Sequence, residues 1–335
     1  MLDVGARTRS PRSDARTPVS VVEPLPHEAA VELAVVLALD SCAHAGTRGL
    51  VIKGIASQQQ GLRGRRRVGD VDVLVPPGAK EDVVNVLRTR GWEARHEDAD
   101  RATFPRHSTT MYHRAWPCDI DVHDQFPGVT VAAADAFEFL WERRATFTAA
   151  GRGVTTLDRA SHVVVLALHS LRTLDRERNR VDLVDLVDLV GRAPRGAPHA
   201  PSKVFDAAVA LGALGTARPF LERVEPSAQP TWPAAPREWR LRTLFPDGVG
   251  RRCVAVVLGI GPAPVRSLLA AVRADDATLR KRDIAAGSDR ATSRRLRAAR
   301  LLAALRALVR FVGSADRIRA VRSPEQYDEL RRASI

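Results

Sequence analysis

The chain has 335 residues, 52 of them Lys or Arg and 39 Asp or Glu, for a formal net charge of +13. A 45% hydrophobic and 27% charged composition excludes a wholly disordered chain, and the length suits two domains whose core needs no staples. Three widely spaced cysteines, Cys42, Cys118 and Cys253, argue against a disulfide framework, and no run reaches the roughly 18 apolar residues of a bilayer span.

Residues 1–25 are rich in Arg, Ser, Pro and Asp without periodicity and read as a disordered leader. Glu28–Ala45 is a predicted helix with Leu33, Val36, Leu37 and Leu39 on its apolar face. The apolar run Ala29–Leu39 contains Glu32 and follows a polar segment, a poor signal peptide, so a cytoplasmic protein is expected. Leu50-Val51-Ile52 is a short buried strand ending at Lys53-Gly54, and Ile55–Leu62 a short helix. An arginine cluster, Arg63 and Arg65–Arg67, leads into Gly69. Val71, Val73 and Val75 then alternate with Asp70, Asp72 and Leu74 as in a strand. Residues 79–90 form an amphipathic helix that Gly91 ends. Trp92–His96 is the next strand, and Thr109–Ala115 with Asp119–His123 form a hairpin across Trp116-Pro117. From residue 157 the pattern turns helical: Leu157–Leu174, Arg180–Val190 and Val204–Leu214. Residues 225–237 are rich in Pro and Ala and read as a linker; Val254–Ile260 is an apolar run, and Thr292–Val312 a basic amphipathic helix.

The informative segment is Gly69-Asp70-Val71-Asp72-Val73-Leu74-Val75. On a strand, Asp70 and Asp72 project to one face and the valines to the other. Two adjacent carboxylates repel unless a cation or proton sits between them, and a hard divalent ion such as Mg²⁺ suits oxygen ligands. Asp121, in Asp119-Ile120-Asp121-Val122-His123, joins them if its strand lies beside the first. Three such carboxylates can hold two metals for phosphoryl transfer. Upstream, Lys53-Gly54 at a helix start offers an ammonium and backbone N–H groups to phosphate, and Arg65–Arg67 can bind phosphate oxygens. A lone Asp-x-Asp pair on a wet edge strand is the competing account of Asp70 and Asp72.

The series Leu50-Val51-Ile52-Lys53-Gly54, Arg66, Gly69–Val75, Gly91-Trp92 and Asp119–His123 resembles the uncharacterised nucleotidyltransferase family of bacteria, within the DNA-polymerase-β-like nucleotidyltransferase superfamily. The resemblance covers roughly residues 28–220. It implies an α+β fold, a mixed sheet with flanking helices, followed by a helical domain and a basic helical C-terminal segment. It also implies that Asp70 and Asp72 are the metal pair, that Asp121 is the third ligand or the base, and that Gly54 is the phosphate-contacting glycine. Lys53-Gly54 stands where the wider superfamily usually has Gly-Gly or Gly-Ser.

Of the remaining candidates, His123 shares the Asp121 strand face and is assigned to proton transfer, phosphate contact or a structural hydrogen bond. His169, in an apolar helix, reads as a core histidine. Asp182, Asp185 and Asp188 run along one helix face; they read as a solvated face paired with Arg176, Arg178 or Arg180, with a nucleotide contact by one of them as the alternative. A zinc site at His107, His113, Cys118 and His123 matches no compact ligand pattern. The expected division is a leader (1–25), a catalytic domain (26–150), a helical nucleotide-covering domain (151–224), and a Pro-rich linker with a basic segment (225–335).

The expected reaction transfers NMP from an NTP (ATP among the candidates) to an acceptor hydroxyl. Mg²⁺, or Mn²⁺, sits on Asp70, Asp72 and Asp121, and Lys53, Gly54, Arg66, Arg67 and His123 hold the nucleotide. The acceptor is a small molecule, a peptide or RNA; an RNA-modifying toxin and a non-catalytic nucleotide-binding module are the alternatives. Residues 251–335 carry +11 of the net charge, so an anionic partner is expected at a separate C-terminal appendage. Arginine-, alanine- and valine-rich usage points to a GC-rich bacterial genome.

Overall fold

The computed structural model describes residues 25–95, 107–226, 231–246, 248–260, 265–266 and 290–334. The expected leader before residue 25, the end of the Trp92–His96 strand and part of the expected linker fall outside them. The catalytic half runs α1 (His27–His44), β1 (Leu50–Ile52), α2 (Gly54–Gln59), β2 (Asp70–Leu74), α3 (Lys80–Thr89), β3 (Glu93–Ala94), β4 (Ser108–Tyr112), β5 (Asp119–His123), α4 (Ala133–Glu142), β6 (Ala145–Ala149) and β7 (Arg152–Thr156). Helices follow: α5 (Arg159–Leu171), α6 (Glu177–Gly191), α7 (Pro201–Ala210), α8 (Leu214–Val224), α9 (Arg237–Leu244), α10 (Gly248–Leu258), α11 (Arg290–Val312), α12 (Ala315–Arg322) and α13 (Pro324–Arg332).

The seven strands form one mixed sheet in the order β3-β4-β5-β2-β1-β7-β6. β2 runs antiparallel to β1 and parallel to β5, in a register that sets Asp70 beside Asp119, Asp72 beside Asp121 and Leu74 beside His123. Strand alternation sorts the side chains. Val51, Val71, Val73, Ile120 and Val122 are buried in one core with α1 and α3. Leu50, Ile52 and Leu74 face the other way, into a core with α4 and α5. Burial of each such side chain contributes about 1.5–3 kcal/mol, which fixes the register and with it the acidic face. The β6–β7 hairpin, absent from the sequence reading, turns at Ala150 and Gly151, both with positive φ (45° and 73°), as a two-residue hairpin loop requires.

α5 starts at Asp158, whose carboxylate accepts the Ser161 N–H at 3.0 Å and the Ser161 hydroxyl at 2.7 Å. Such a cap contributes about 1 kcal/mol. Nearly every side chain of α5 is buried, because the helix lies between the sheet and α6, α7 and α8. Two expectations for the C-terminal region change. Part of the expected linker leads into α9, whose Trp239, Leu241 and Leu244 are buried in the main core. The region beyond is not wholly a separate appendage either: Ala320, Val321 and Tyr327 of α12 and α13 are buried in that same core. On α11, Leu301, Leu302, Leu305 and Val309 are exposed. Among the described residues no helix is long and apolar enough to cross a membrane.

Candidate active site

The site forms where β1 ends beside the middle of β2. Ile52 pairs with Asp72, so the next residue, Lys53, emerges next to that carboxylate. The Lys53 ammonium is ion-paired with Asp72 Oδ1. His123, at the end of β5, places Nε2 2.7 Å from the same oxygen. A carboxylate only accepts, so Nε2 carries the hydrogen. Burial by itself would raise the Asp72 carboxyl, but the Lys53 charge and then the His123 contacts hold it well below the usual carboxylate range. Asp72 is therefore a buried anion, 4% exposed.

Asp121 lies beside Asp72 on the same sheet face. Its Oδ1 is buried without a hydrogen-bond partner among the described residues, and burial, reinforced by the Asp72 charge, pushes its carboxyl up to about 6. One ligand atom from each of Asp72, Asp121 and His123 falls within 4.8 Å of the others. Unpartnered carboxylate oxygen at close range is a donor set that fits a hard divalent cation. Asp70 is not in that trio. Its side chain is exposed, two residues earlier on the same face, and lines the cavity described next; partial loss of water around the carboxyl in that cavity, and then the Asp72 charge, raise its pKa. Asp119 is occupied elsewhere, in a bidentate pair with Arg95 at 2.8 and 2.9 Å.

At the Asp70 end of the strands is a cavity of about 250 Å³. Lys53, Arg63, Arg66, Arg67, Arg176 and Arg178 line it together with Asp70 and Asp72. Six cations around two carboxylates make an anion-binding hollow. Of the residues expected to hold a nucleotide, Lys53, Gly54, Arg66 and Arg67 all line this cavity; His123 does not, being turned onto Asp72. Arg66 is tethered to Asp182 at 2.6 Å, and Arg63 lies 3.4 Å from the same carboxylate. Asp182 thus positions the arginine cluster, in place of the expected pairing with Arg176, Arg178 or Arg180. His169, expected in the core, faces the cavity with a buried Nδ1 that has no hydrogen-bond partner among the described residues.

The backbone at the cavity is held in an uncommon conformation. Lys53 has φ 58° and ψ −148°, and Gly54 follows at φ 39°. The glycine adopts this at little cost; the lysine stores roughly 1–3 kcal/mol of strain. His162 on α5 holds the turn by accepting the Lys53 backbone N–H at 2.8 Å. His162, Arg63, Arg176, Arg178 and Asn179 were not assigned to the site from sequence. Arg63 had the signal of the arginine cluster. The others had none, because they reach the site only through the packing of α5 and α6 on the sheet.

Comparison with known proteins gives the following. An antigenic nucleotidyltransferase-like protein from Paracoccidioides brasiliensis is structurally similar at 16% identity and a TM-score of 0.36, over 60% of this chain and 94% of that one. The antibiotic-resistance factor ANT(2'')-Ia is similar at 13% identity and a TM-score of 0.29, over 59% and 89%. No curated protein matches the chain. The family described as uncharacterised nucleotidyltransferase matches residues 28–204. That span is more than half of the chain and takes in the carboxylate strands, the Lys53-Gly54 turn and α5–α6, so the protein belongs to the uncharacterised nucleotidyltransferase family and is a transferase.

Proposed function

We propose that the protein transfers a nucleoside monophosphate from an NTP to an acceptor hydroxyl and releases pyrophosphate. The observation that carries this reading is the pairing of Asp72 with Asp121 at the edge of the cation-lined cavity. Asp70, Asp72 and Asp121 would hold Mg²⁺, with Mn²⁺ as the alternative, and the bound ion supplies charge neutralisation at the phosphate oxygens.

The chain's own residues supply the rest. Arg63, Arg66, Arg67, Arg176 and Arg178 receive the triphosphate, and Gly54 lets backbone N–H groups approach it. Lys53 balances the charge of Asp72 and faces the same phosphates. The acceptor oxygen forms a bond to the α-phosphorus while the bond from that phosphorus to the bridging oxygen breaks, and pyrophosphate leaves. The hydroxyl proton passes to Asp121, whose Oδ1 has no hydrogen-bond partner among the described residues. His123 keeps Asp72 oriented through its hydrogen bond. Catalysis on this scheme is positioning and electrostatic stabilisation.

The division of labour follows the elements. Residues 26–150 carry the carboxylates, and residues 151–224 cover the nucleotide through His169, Arg176, Arg178 and Asn179. An NTP-consuming reaction in a chain whose cysteines form no disulfide fits the cytoplasm. The test is transfer of label from each α-³²P-NTP, with Mg²⁺, to a panel of hydroxylated acceptors. Asp72→Asn should abolish transfer while circular dichroism reports an unchanged fold. Wild-type transfer by the folded variant would show that the carboxylates are not the reaction centre.

A further inference from the structure

A second cavity, of about 150 Å³, lies past the other end of the carboxylate strands. His107, Gln125, Phe126, Glu238, Trp239 and Arg242 line it, and it shares no lining residue with the cationic cavity. One ring separates it from the reaction centre. The His107 ring centroid is 5.8 Å from that of His123, which is itself hydrogen-bonded to Asp72. The Phe126 ring centroid is 5.8 Å from the Lys53 ammonium. The two cavities therefore flank the Lys53, Asp72 and His123 cluster.

The second cavity is built, not incidental. The loop that forms its wall passes through Gly128 at φ 100°, where a Cβ would lie 2.8 Å from Leu168 and 2.9 Å from the Trp239 ring. The Thr216 hydroxyl on α8 donates to the Gly128 carbonyl at 2.6 Å. Arg172 of the α5 C-terminus places a guanidinium nitrogen 3.4 Å from His107 Nε2. Burial and then the neighbouring Arg242 lower the Arg172 guanidinium to about 10. Arg242 pairs with Glu238 at 3.1 Å, and Glu238 is half exposed. Arg172 is not on the cavity wall, and the charges of Asp72 and Asp121 act on it. Arg242 is the guanidinium on the cavity wall, beside the Phe126 and Trp239 rings, and its partner Glu238 is half exposed, so the anionic group of a bound molecule can replace that carboxylate on Arg242. The volume is that of a six-membered ring.

Resting on the nucleotidyl-transfer reading, we propose that this cavity is the acceptor site and that it takes a small hydroxylated molecule carrying an anionic group, a sugar phosphate or a hydroxy acid, read by Arg242. Glu238, Trp239 and Arg242 lie on α9, beyond the 28–204 family match. Acceptor choice thus belongs to the C-terminal region rather than to the shared catalytic unit.

The test is calorimetry on the full chain with Mg²⁺ and each α,β-methylene NTP analogue, which cannot transfer. Hexose 1-phosphates, glycerate and an RNA oligonucleotide with a free 3′ hydroxyl are then titrated in. A sugar phosphate or the hydroxy acid should bind, and the one that binds identifies the source of the anion. Arg242→Gln should weaken that binding about tenfold or more and leave the affinity for the NTP analogue unchanged. Glu238→Gln, which removes the competing carboxylate, should tighten it. The proposal is overturned if no small acceptor binds while the NTP analogue does, if only the RNA binds, if Glu238→Gln weakens binding, or if Arg242→Gln weakens the NTP analogue instead. Failure of every NTP analogue to bind wild-type chain would overturn the nucleotidyl-transfer reading, and this one with it.

Discussion

His162 accepts the backbone N–H of Lys53 at 2.8 Å through Nε2, while its Nδ1 lies 2.8 Å from Gln60 Oε1. Both nitrogens are used, so the ring is neutral with its hydrogen on Nδ1. Helix α5 thereby fixes the strained backbone of Lys53 at the edge of the cationic cavity. Removing the acceptor leaves a buried N–H unsatisfied, at roughly 1–3 kcal/mol. His162→Phe should lower stability by that amount in urea unfolding and weaken NTP binding through Lys53, although His162 itself lines no part of the cavity. Unchanged nucleotide affinity in the folded variant would leave His162 a purely structural residue.

The same histidine predicts a pH dependence. Burial, followed by the charges of Arg63 and Lys53, lowers its folded pKa to about 3 from an ordinary 6.5. Below pH 6.5 the unfolded chain takes up a proton that the folded chain refuses, so the unfolded state gains as pH falls. The stability His162 confers is present above pH 6.5 and is lost progressively towards pH 3. His107 and His169, each lowered to about 2 chiefly by burial, act in the same direction. Thermal melts between pH 7.5 and 4 should fall less steeply for His162→Phe than for the wild type. Parallel slopes would contradict the assigned neutral state.

Lys53 is the charge partner of a carboxylate with almost no access to water. Lys53→Met keeps the stem and removes the ammonium, which leaves Asp72 with His123 alone. Breaking one partner of a buried pair costs about 3 kcal/mol. A divalent cation on the carboxylates should restore part of that loss, so Mg²⁺ should raise the melting temperature of Lys53→Met more than that of the wild type. An equal Mg²⁺ shift in both proteins would separate Lys53 from the metal-binding carboxylates.

Much of this site was legible in the sequence because strand alternation is a strict code. Asp70, Asp72 and Leu74 share a face by period, and Asp119-Ile120-Asp121-Val122-His123 repeats the pattern, so parallel pairing sets Asp72 beside Asp121. What alternation does not fix is which carboxylate is exposed and which buried. Asp70 lies at the mouth and His123 under the site because β1 covers β2 only from Leu74 to Asp72. Contributions from α5 and α6 were not legible: His162, His169 and Arg178 reach the site by helix packing, which leaves no local mark. The β6–β7 hairpin was missed for a different reason. Its strands are short and Thr-rich, and its turn uses Ala150 in a conformation that ordinarily marks itself with Asn or Gly.

Gly128 offers a test of the second cavity as a built element. Its φ of 100° is disfavoured for any side chain, and the nearest atoms, Leu168 and the Trp239 ring, are both buried. Gly128→Ala should therefore cost roughly 1–3 kcal/mol in urea unfolding, by strain and by pushing Trp239 off the loop. Tryptophan fluorescence should report the displacement before any global unfolding. Nucleotide affinity should be preserved, since the residues a Cβ at Gly128 would press on, Leu168 and Trp239, do not line the cationic cavity. Loss of acceptor binding with NTP affinity intact would make the two cavities separate sites. Equal loss of both would mean that the loop after β5 supports the carboxylates themselves.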